Sequence, residues 1–382
     1  MRRVALPILV GACAALAAPL TAHAAVEGCT PSPDPARWNS AGTPDKGREP
    51  MEIAVHRGAA ELAPENTMDA YRYAIAYGVE RIEIDVQQLT DGRFVSFHDS
   101  TLDEKTDGSS SIGNKDYEYV RKVNAADNKK WKGSEYDPSR IPTLEEILTL
   151  ARATDTRIYF DVKESVTSGV AAMANMAAEY GVMDRSLWRT FDPARDEAIK
   201  GAQPTADLMF SNYDRSIGPE AFFSASSRYR WFGSDLVDYS PEKVAAIHDG
   251  CSLAVLNTYS GEVKGSEAAD TLHARAIGAD AVQVNNPDVA VRALKRPVAS
   301  RIEVRNTLRR YARGAVTACL VDAKHGFGLP EKRLRYWGGF AETGRNGCAK
   351  FSPSRRGGQV AFRDDGSALS SRAIFRSPLR PR

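Results

Sequence analysis

The chain of 382 residues has little of what most often announces chemistry: six histidines and five cysteines. No two cysteines form a CxxC pair, which removes the usual basis for a zinc site. There is no GxGxxG, which weakens a doubly wound dinucleotide fold, no GxSxG for a serine nucleophile and no HExxH for a zinc hydrolase. Beyond the first twenty residues no apolar run is long enough to cross a bilayer. No internal repeat is apparent. The formal net charge of +2 selects no particular partner, and nucleic acid is not expected as one. What is present is an ordinary globular composition, 42% apolar and 26% charged, in a length that suits one large domain with an appendage or two modest domains.

The amino terminus reads as a targeting segment. Arg2 and Arg3 precede an apolar stretch from Val4 to Leu20, and Ala22-His23-Ala24 supplies the small-x-small pattern of a cleavage site. Residues 1–24 are therefore expected to be a signal peptide, and the mature chain to be exported to a periplasmic or extracellular space. Loss of Cys13 would leave Cys29, Cys251, Cys319 and Cys348, which in an oxidising compartment suggests two disulfides with three pairings open. Cys319 with Cys348 is favoured because both lie in one loop-rich tail, leaving Cys29 for Cys251.

Residues 25–50 are rich in Pro, Gly, Ser and Asp and read as a lead-in arm. From Met51 to about Val298, short β-rich runs alternate with helical patterns, several closed by glycine before the next strand. That alternation predicts a (β/α) barrel. The tail, 299–382, carries 18 Lys and Arg against 6 Asp and Glu, a net of +12. Its glycines, aromatics and short alternating runs predict a β-rich extension. A basic surface of this kind suits acidic lipid head groups, although such charge is more commonly just solvated.

The segment "RIEIDVQQLTDGRFVSFHD" carries the most information. Period-two geometry sends Ile82, Ile84 and Val86 to one face and Glu83 and Asp85 to the other, which is the lumen for a barrel strand and solvent for an edge strand. Two like charges one pleat apart repel unless something positive lies between them, and a divalent cation with oxygen ligands, Ca²⁺ or Mg²⁺, answers that need. Thr90-Asp91-Gly92 signals a tight turn, and a hairpin about Asp91-Gly92 would set His98 opposite Asp85. In "RIYFDVKE", Asp161 and Lys163 again share a face, offering one more ligand and a phosphate-binding ammonium. His56, Arg57 and Gly58 follow a short apolar run. His248 and His273 lie on helical patterns and read as packing or surface residues, and Cys251 as a disulfide half.

Taken together, "HRGAAELAPENT", "EIDVQQLTDGRFVSFHDSTLDEKTDG", "IPTLEEIL" and "DVK" closely resemble the glycerophosphodiester phosphodiesterases. The resemblance implies an irregular (β/α)8 TIM-type barrel over 51–298 with a small inserted subdomain at about 99–140, and metal-dependent hydrolysis of a glycerophosphodiester to glycerol 3-phosphate and an alcohol. It implies that His56 and His98 are the acid/base pair. Glu83, Asp85 and Asp161 would bind the metal, Arg57 and Lys163 the phosphate, with Glu65 and Asn66 supporting them from behind. Where the family usually has glutamate, this chain has Asp161. Glu104-Lys105 replaces the usual Arg-Thr, "VLNTY" lacks the common tryptophan, and Asn286 stands for an aspartate before Pro287. A third aspartate ligand is also similar to the sphingomyelinase D-like phospholipases, so hydrolysis of intact phospholipids is the alternative, with the basic tail touching a membrane surface. The residues fit two routes equally. In one, a neighbouring glycerol hydroxyl attacks to give a cyclic phosphate; in the other, water attacks directly.

Overall fold

The β-rich runs expected between Met51 and Val298 form nine strands among the described residues, and eight of them close a ring. In this computed structural model residues 51–375 are described, apart from 167–168, 212–228, 250–251, 259–265, 307–315, 337–338, 352–357 and 364–369. The expected signal peptide, the arm at 25–50, Cys29 and Cys251 lie outside the described residues.

The strands are β1 (Glu52–Val55), β2 (Arg81–Gln88), β3 (Phe94–Ser96), β4 (Arg157–Val162), β5 (Ser186–Arg189), β6 (Asp207–Ser211), β7 (Trp231–Asp235), β8 (Leu253–Asn257) and β9 (Ala281–Val284). Parallel pairing runs β1-β9-β8-β7-β6-β5-β4-β2, and β2 returns to β1, so the (β/α)8 barrel is closed. β3 lies outside the ring, antiparallel on β2. The helices are α1 (Met68–Ala76), α2 (Tyr117–Val120), α3 (Leu144–Thr154), α4 (Val170–Glu179), α5 (Pro193–Ala202), α6 (Pro241–Asp249), α7 (Glu267–Ala276) and α8 (Pro287–Ala293). Sequence patterning missed α2, α5 and α8. The two longer ones start on a proline after an Asp192 or Asn286 cap, where the missing N–H costs nothing.

Alternation along β2 sorts as its pattern requires. Ile82, Ile84 and Val86 join the core beneath the helices, and Glu83 and Asp85 are fully buried on the inner side. The lumen is a packed core: Tyr159, Leu187, Met209, Trp231, Val255 and Ala281 fill it. At its amino-terminal end Arg81 is 1% exposed, donates from Nε to Glu52 Oε2 (3.1 Å) and from Nη1 to Ile158 O (3.1 Å), and lies over Trp231.

The β2–β3 hairpin departs from the expected register. Val86 faces Ser96 and Gln87 faces Val95, and the Phe97 N–H bonds Asp85 O at 3.0 Å, so Phe97 rather than His98 stands opposite Asp85. The loop holds three residues, Thr90 to Gly92, with Gly92 in the left-handed region (φ +84°). One extra loop residue moves the pairing by one and swaps faces. Beyond β3 the chain makes a satellite core of Phe97, Leu102, Ile112, Val120 and Val123 before entering α3.

After α8 come a three-stranded sheet, β10 (Ser300–Asn306), β11 (Val316–Asp322) and β14 (Cys348–Phe351), and a four-stranded one, β12 (Arg333–Tyr336), β13 (Gly339–Glu342), β15 (Gly358–Arg363) and β16 (Ser370–Phe375). Cys319 and Cys348 are direct cross-strand partners and form the favoured disulfide. Some of the tail's basic charge is used against the barrel: Lys332 Nζ meets Asp288 (2.8 Å), and Arg345 Nε donates to Asp69 (2.8 Å) while its Nη1 donates to Glu135 O (3.1 Å).

Candidate active site

β1 ends at Val55, and the next residues turn sharply over the carboxyl-terminal mouth of the barrel. Arg57 and Gly58 both have left-handed backbones (φ +54° and +74°). At Gly58 a Cβ would come within 2.8 Å of the Ala70 backbone, so only glycine lets this turn lie against α1. The turn aims the Arg57 N–H at Glu83 Oε2 (2.5 Å). The same residue's side chain reaches Glu65 from Nη1 (3.1 Å) and Asp85 Oδ2 from Nε (3.4 Å).

Asn66, also left-handed, donates from Nδ2 to Asp85 Oδ2 at 2.7 Å. Its Oδ1 accepts from Tyr71 Oη (2.8 Å) and Ser96 Oγ (2.9 Å), which fixes the amide orientation. Thr67 then caps α1. Glu65 also holds Lys105 of the inserted segment at 2.5 Å. Tyr71 and Ser96 were missed by sequence reasoning, because a tyrosine in a helix and a serine in a strand carry no marker of what they face.

Glu83, Asp85 and Asp161 converge. One oxygen from each lies within 4.8 Å of the others, and all three residues are buried. Asp85 and Asp161 are register partners across β2 and β4, so the shared level is built into the sheet. Lys163 Nζ lies 2.6 Å from Asp85 Oδ1 and 3.2 Å from Asp161 Oδ2. Arg189, at the end of β5 and paired in register with Asp161, donates from Nη2 to the same Asp161 Oδ2. Glu83 Oε1 and Asp161 Oδ1 are buried with no hydrogen-bond partner. Buried carboxylate oxygens left in that state, within reach of one another, fit a hard cation with oxygen ligands.

Both histidines are close enough for their charge to act on Asp85. His56 is 8% exposed and its Nδ1 lies 2.9 Å from Asn285 Oδ1. An amide oxygen there makes Nδ1 the donor and leaves Nε2 as the acceptor. His98 is about a third exposed, its Nδ1 2.6 Å from Asp99 Oδ1. Asn285 and Asp99 are further residues the sequence did not single out. A cleft of about 660 Å³ opens beside this centre between the barrel and the inserted segment, with His56, Arg57, Glu65, Lys105, Trp131 and Asn285 among its walls. His248, read as a packing residue, is buried on Asp280 far along the chain from these groups.

Electrostatics separate the acids. Burial, then the neighbouring Asp85 charge, raises the Glu83 carboxyl well above the usual range. Burial would raise Asp85 too, but Lys163 and then Arg57 overcome it and hold Asp85 well below the usual range. Burial, then the Arg57 charge, lowers the His56 imidazole to about 3, so it is neutral near pH 7. Asp99 is lowered chiefly by its hydrogen bond to His98. A titration consequence follows for Glu83. Its folded pKa is raised, so a cation must displace its proton; affinity should climb up to about tenfold per pH unit and level off above that pKa. Calorimetric Ca²⁺ titrations in two buffers of different ionisation enthalpy should show proton release that falls away as pH rises. Release that does not change with pH, or none at any pH, would refute the protonated Glu83.

Residues 56–289 match the model of the glycerophosphoryl diester phosphodiesterase family, and the chain belongs to that family. Glycerophosphodiester phosphodiesterase 1 of Mus musculus is 38% identical over 135 residues, 35% of this chain and 40% of that relative. A glycerophosphodiester phosphodiesterase of Caldanaerobacter subterraneus is 32% identical over 155 residues, 40% of this chain and 63% of that protein. The chain thus spans well under two thirds of the mouse relative's length. Among solved structures, a glycerophosphodiester phosphodiesterase from Agrobacterium tumefaciens superposes with a TM-score of 0.55 at 20% identity, covering 63% of this chain and 99% of that one. An Oleispira antarctica phosphodiesterase, solved with the product sn-glycerol-3-phosphate, gives 0.54 at 20%, covering 64% and 96%. At that identity the structures speak for the barrel fold.

Proposed function

We propose that this protein hydrolyses glycerophosphodiesters to glycerol 3-phosphate and an alcohol, with one divalent cation, Ca²⁺ or Mg²⁺, on Glu83, Asp85 and Asp161. The observation that carries this reading is the convergence of three buried acids, Arg57 and Lys163 at the mouth of a barrel, with two histidines close to Asp85. Family membership supplies the reaction class. The cation, when bound, polarises the phosphoryl group and offsets charge as it grows there.

The chain's own groups account for the remainder. Arg57 and Lys163 draw the anionic diester into the cleft and balance its non-bridging oxygens. His56, neutral with Nε2 as acceptor, takes the proton of the attacking oxygen, either water itself or the neighbouring glycerol hydroxyl, whose cyclic phosphate water then opens to glycerol 3-phosphate. His98, its Nδ1 fixed by Asp99, donates a proton to the departing alcohol oxygen as the P–O bond breaks. Asn66 and the Arg57 main chain keep Asp85 and Glu83 aimed. The amino-terminal pattern supports export of the mature chain, so this work would fall outside the cytoplasm.

The test uses purified mature protein with glycerophosphocholine, with intact phospholipid, and with chelator. Glycerol 3-phosphate should appear from the soluble diester and fall roughly 10²–10⁴-fold in His56→Ala and in His98→Ala. Turnover of intact lipid alone, or undiminished turnover in both variants, would refute the proposal.

A further inference from the structure

Arg189 entered no motif, yet it sits in the middle of the charged layer. Register places it level with Asp161, as Asp161 is level with Asp85. Its side chain is 5% exposed. The guanidinium lies between two rings, 5.2 Å from the centroid of Tyr159 and 4.7 Å from that of Phe191. Phe191 is 57% exposed and has a left-handed backbone (φ +56°), an unusual state for an aromatic residue that brings its ring back over Arg189 at the rim. An arginine clamped in this way has lost its rotamer freedom before any ligand arrives, so it binds an anion at low entropic cost.

Its contacts show which kind of ligand. Arg189 Nη2 and Lys163 Nζ both address one oxygen, Asp161 Oδ2. Two cationic donors meeting on a single anionic oxygen is the arrangement that receives a phosphoryl oxygen. Arg189 is also close enough for its charge to act on His56. Charge counting agrees. Glu83, Asp85 and Asp161, all ionised, balance Arg57, Lys163 and Arg189, so a divalent ion leaves the site at +2. A phosphodiester brings −1 and approaches −2 as the nucleophile adds; without Arg189 the site would supply only +1.

We propose that Arg189 is a third phosphate-binding cation of this site, resting on Asp161 Oδ2 and shared with the phosphoryl group when an anion enters. This rests on the phosphodiesterase reading above and adds a residue to it.

The test is calorimetric binding of inorganic phosphate and of sn-glycerol 3-phosphate to the full chain in chelator, where protein cations alone hold the anion. Arg189→Gln should weaken both ligands about 10–100-fold, the range for a lost charged hydrogen bond. Arg189→Lys should fall between. Asp161→Asn, which releases Arg189, should tighten phosphate, and Asp161→Asn/Arg189→Gln should lose that gain. Near-ultraviolet circular dichroism reports whether each variant keeps the site intact, and Ca²⁺ affinity does so for the Arg189 single variants, which keep all three acids. Unchanged phosphate affinity in a folded Arg189→Gln protein would overturn the proposal and leave Arg189 as a support for Asp161. If the wild-type protein binds neither ligand and cleaves no diester, the underlying reading fails, and Arg189 with it.

Discussion

Asp85→Asn should lower turnover roughly a thousandfold and abolish detectable Ca²⁺ binding, because one carboxylate joins every part of the site. Lys163 (2.6 Å), Asn66 (2.7 Å) and Arg57 (3.4 Å) all meet it. Asparagine keeps the shape and removes the charge, leaving two partly buried cations short of an anion. Breaking a buried pair in this way costs about 3–5 kcal/mol. Urea unfolding in chelator should therefore show a drop of that size, alongside the kinetic loss. Near-normal turnover with cation binding retained would show that Asp85 is not the hub.

Arg81→Met should separate the two effects: destabilise by about 3–5 kcal/mol, as Asp85→Asn does, and leave kcat of the folded fraction unchanged. Arg81 begins the same strand four residues earlier, roughly 13 Å from Asp85 at strand rise. It is buried with Glu52, the Ile158 carbonyl and Trp231 at the barrel's amino-terminal end, away from the mouth. Methionine fills the volume but strips Glu52, 9% exposed, of its innermost partner. Glu52 keeps Arg157 in that variant but has lost its buried partner; in Glu52→Gln/Arg81→Met this half-compensated charge is gone too, so the double variant should melt above the Arg81 single variant. A fall in kcat matching the fall in stability would contradict the separation of a stabilising floor from a reactive mouth.

Most of the barrel was legible in the sequence for a simple reason: parallel strands buried on both sides leave dense apolar runs, and acids interrupting them at period two must face inward. Period two put Glu83, Asp85 and Asp161 on the inner side, and the structure brings one oxygen of each within 4.8 Å of the others. Periodicity failed where a single residue decides geometry. The hairpin register hung on whether Thr90 belongs to the strand or the loop, and a left-handed Gly92 is compatible with either turn. Arg189 was passed over because an arginine ending a β-run usually meets solvent; only closure of the ring points this one at Asp161. Asn285 and Asp99 were missed because the partners of the two histidines are set by tertiary approach, across 229 residues in the case of His56 and Asn285. For Asp99, adjacency to His98 was the available clue.

The turn at Arg57 limits what substitution experiments can reveal. Its hold on Glu83 comes from the main-chain N–H, which alanine, glutamine or lysine at position 57 would all preserve. Alanine scanning at this position therefore measures only the guanidinium, and will understate how much residue 57 contributes. Proline alone among the common residues lacks that N–H, and its fixed negative φ cannot reproduce the left-handed turn. The ligand's anchor is thus written in the backbone, beyond the reach of ordinary side-chain mutagenesis, and replacement of that amide by an ester is the chemistry that would expose it.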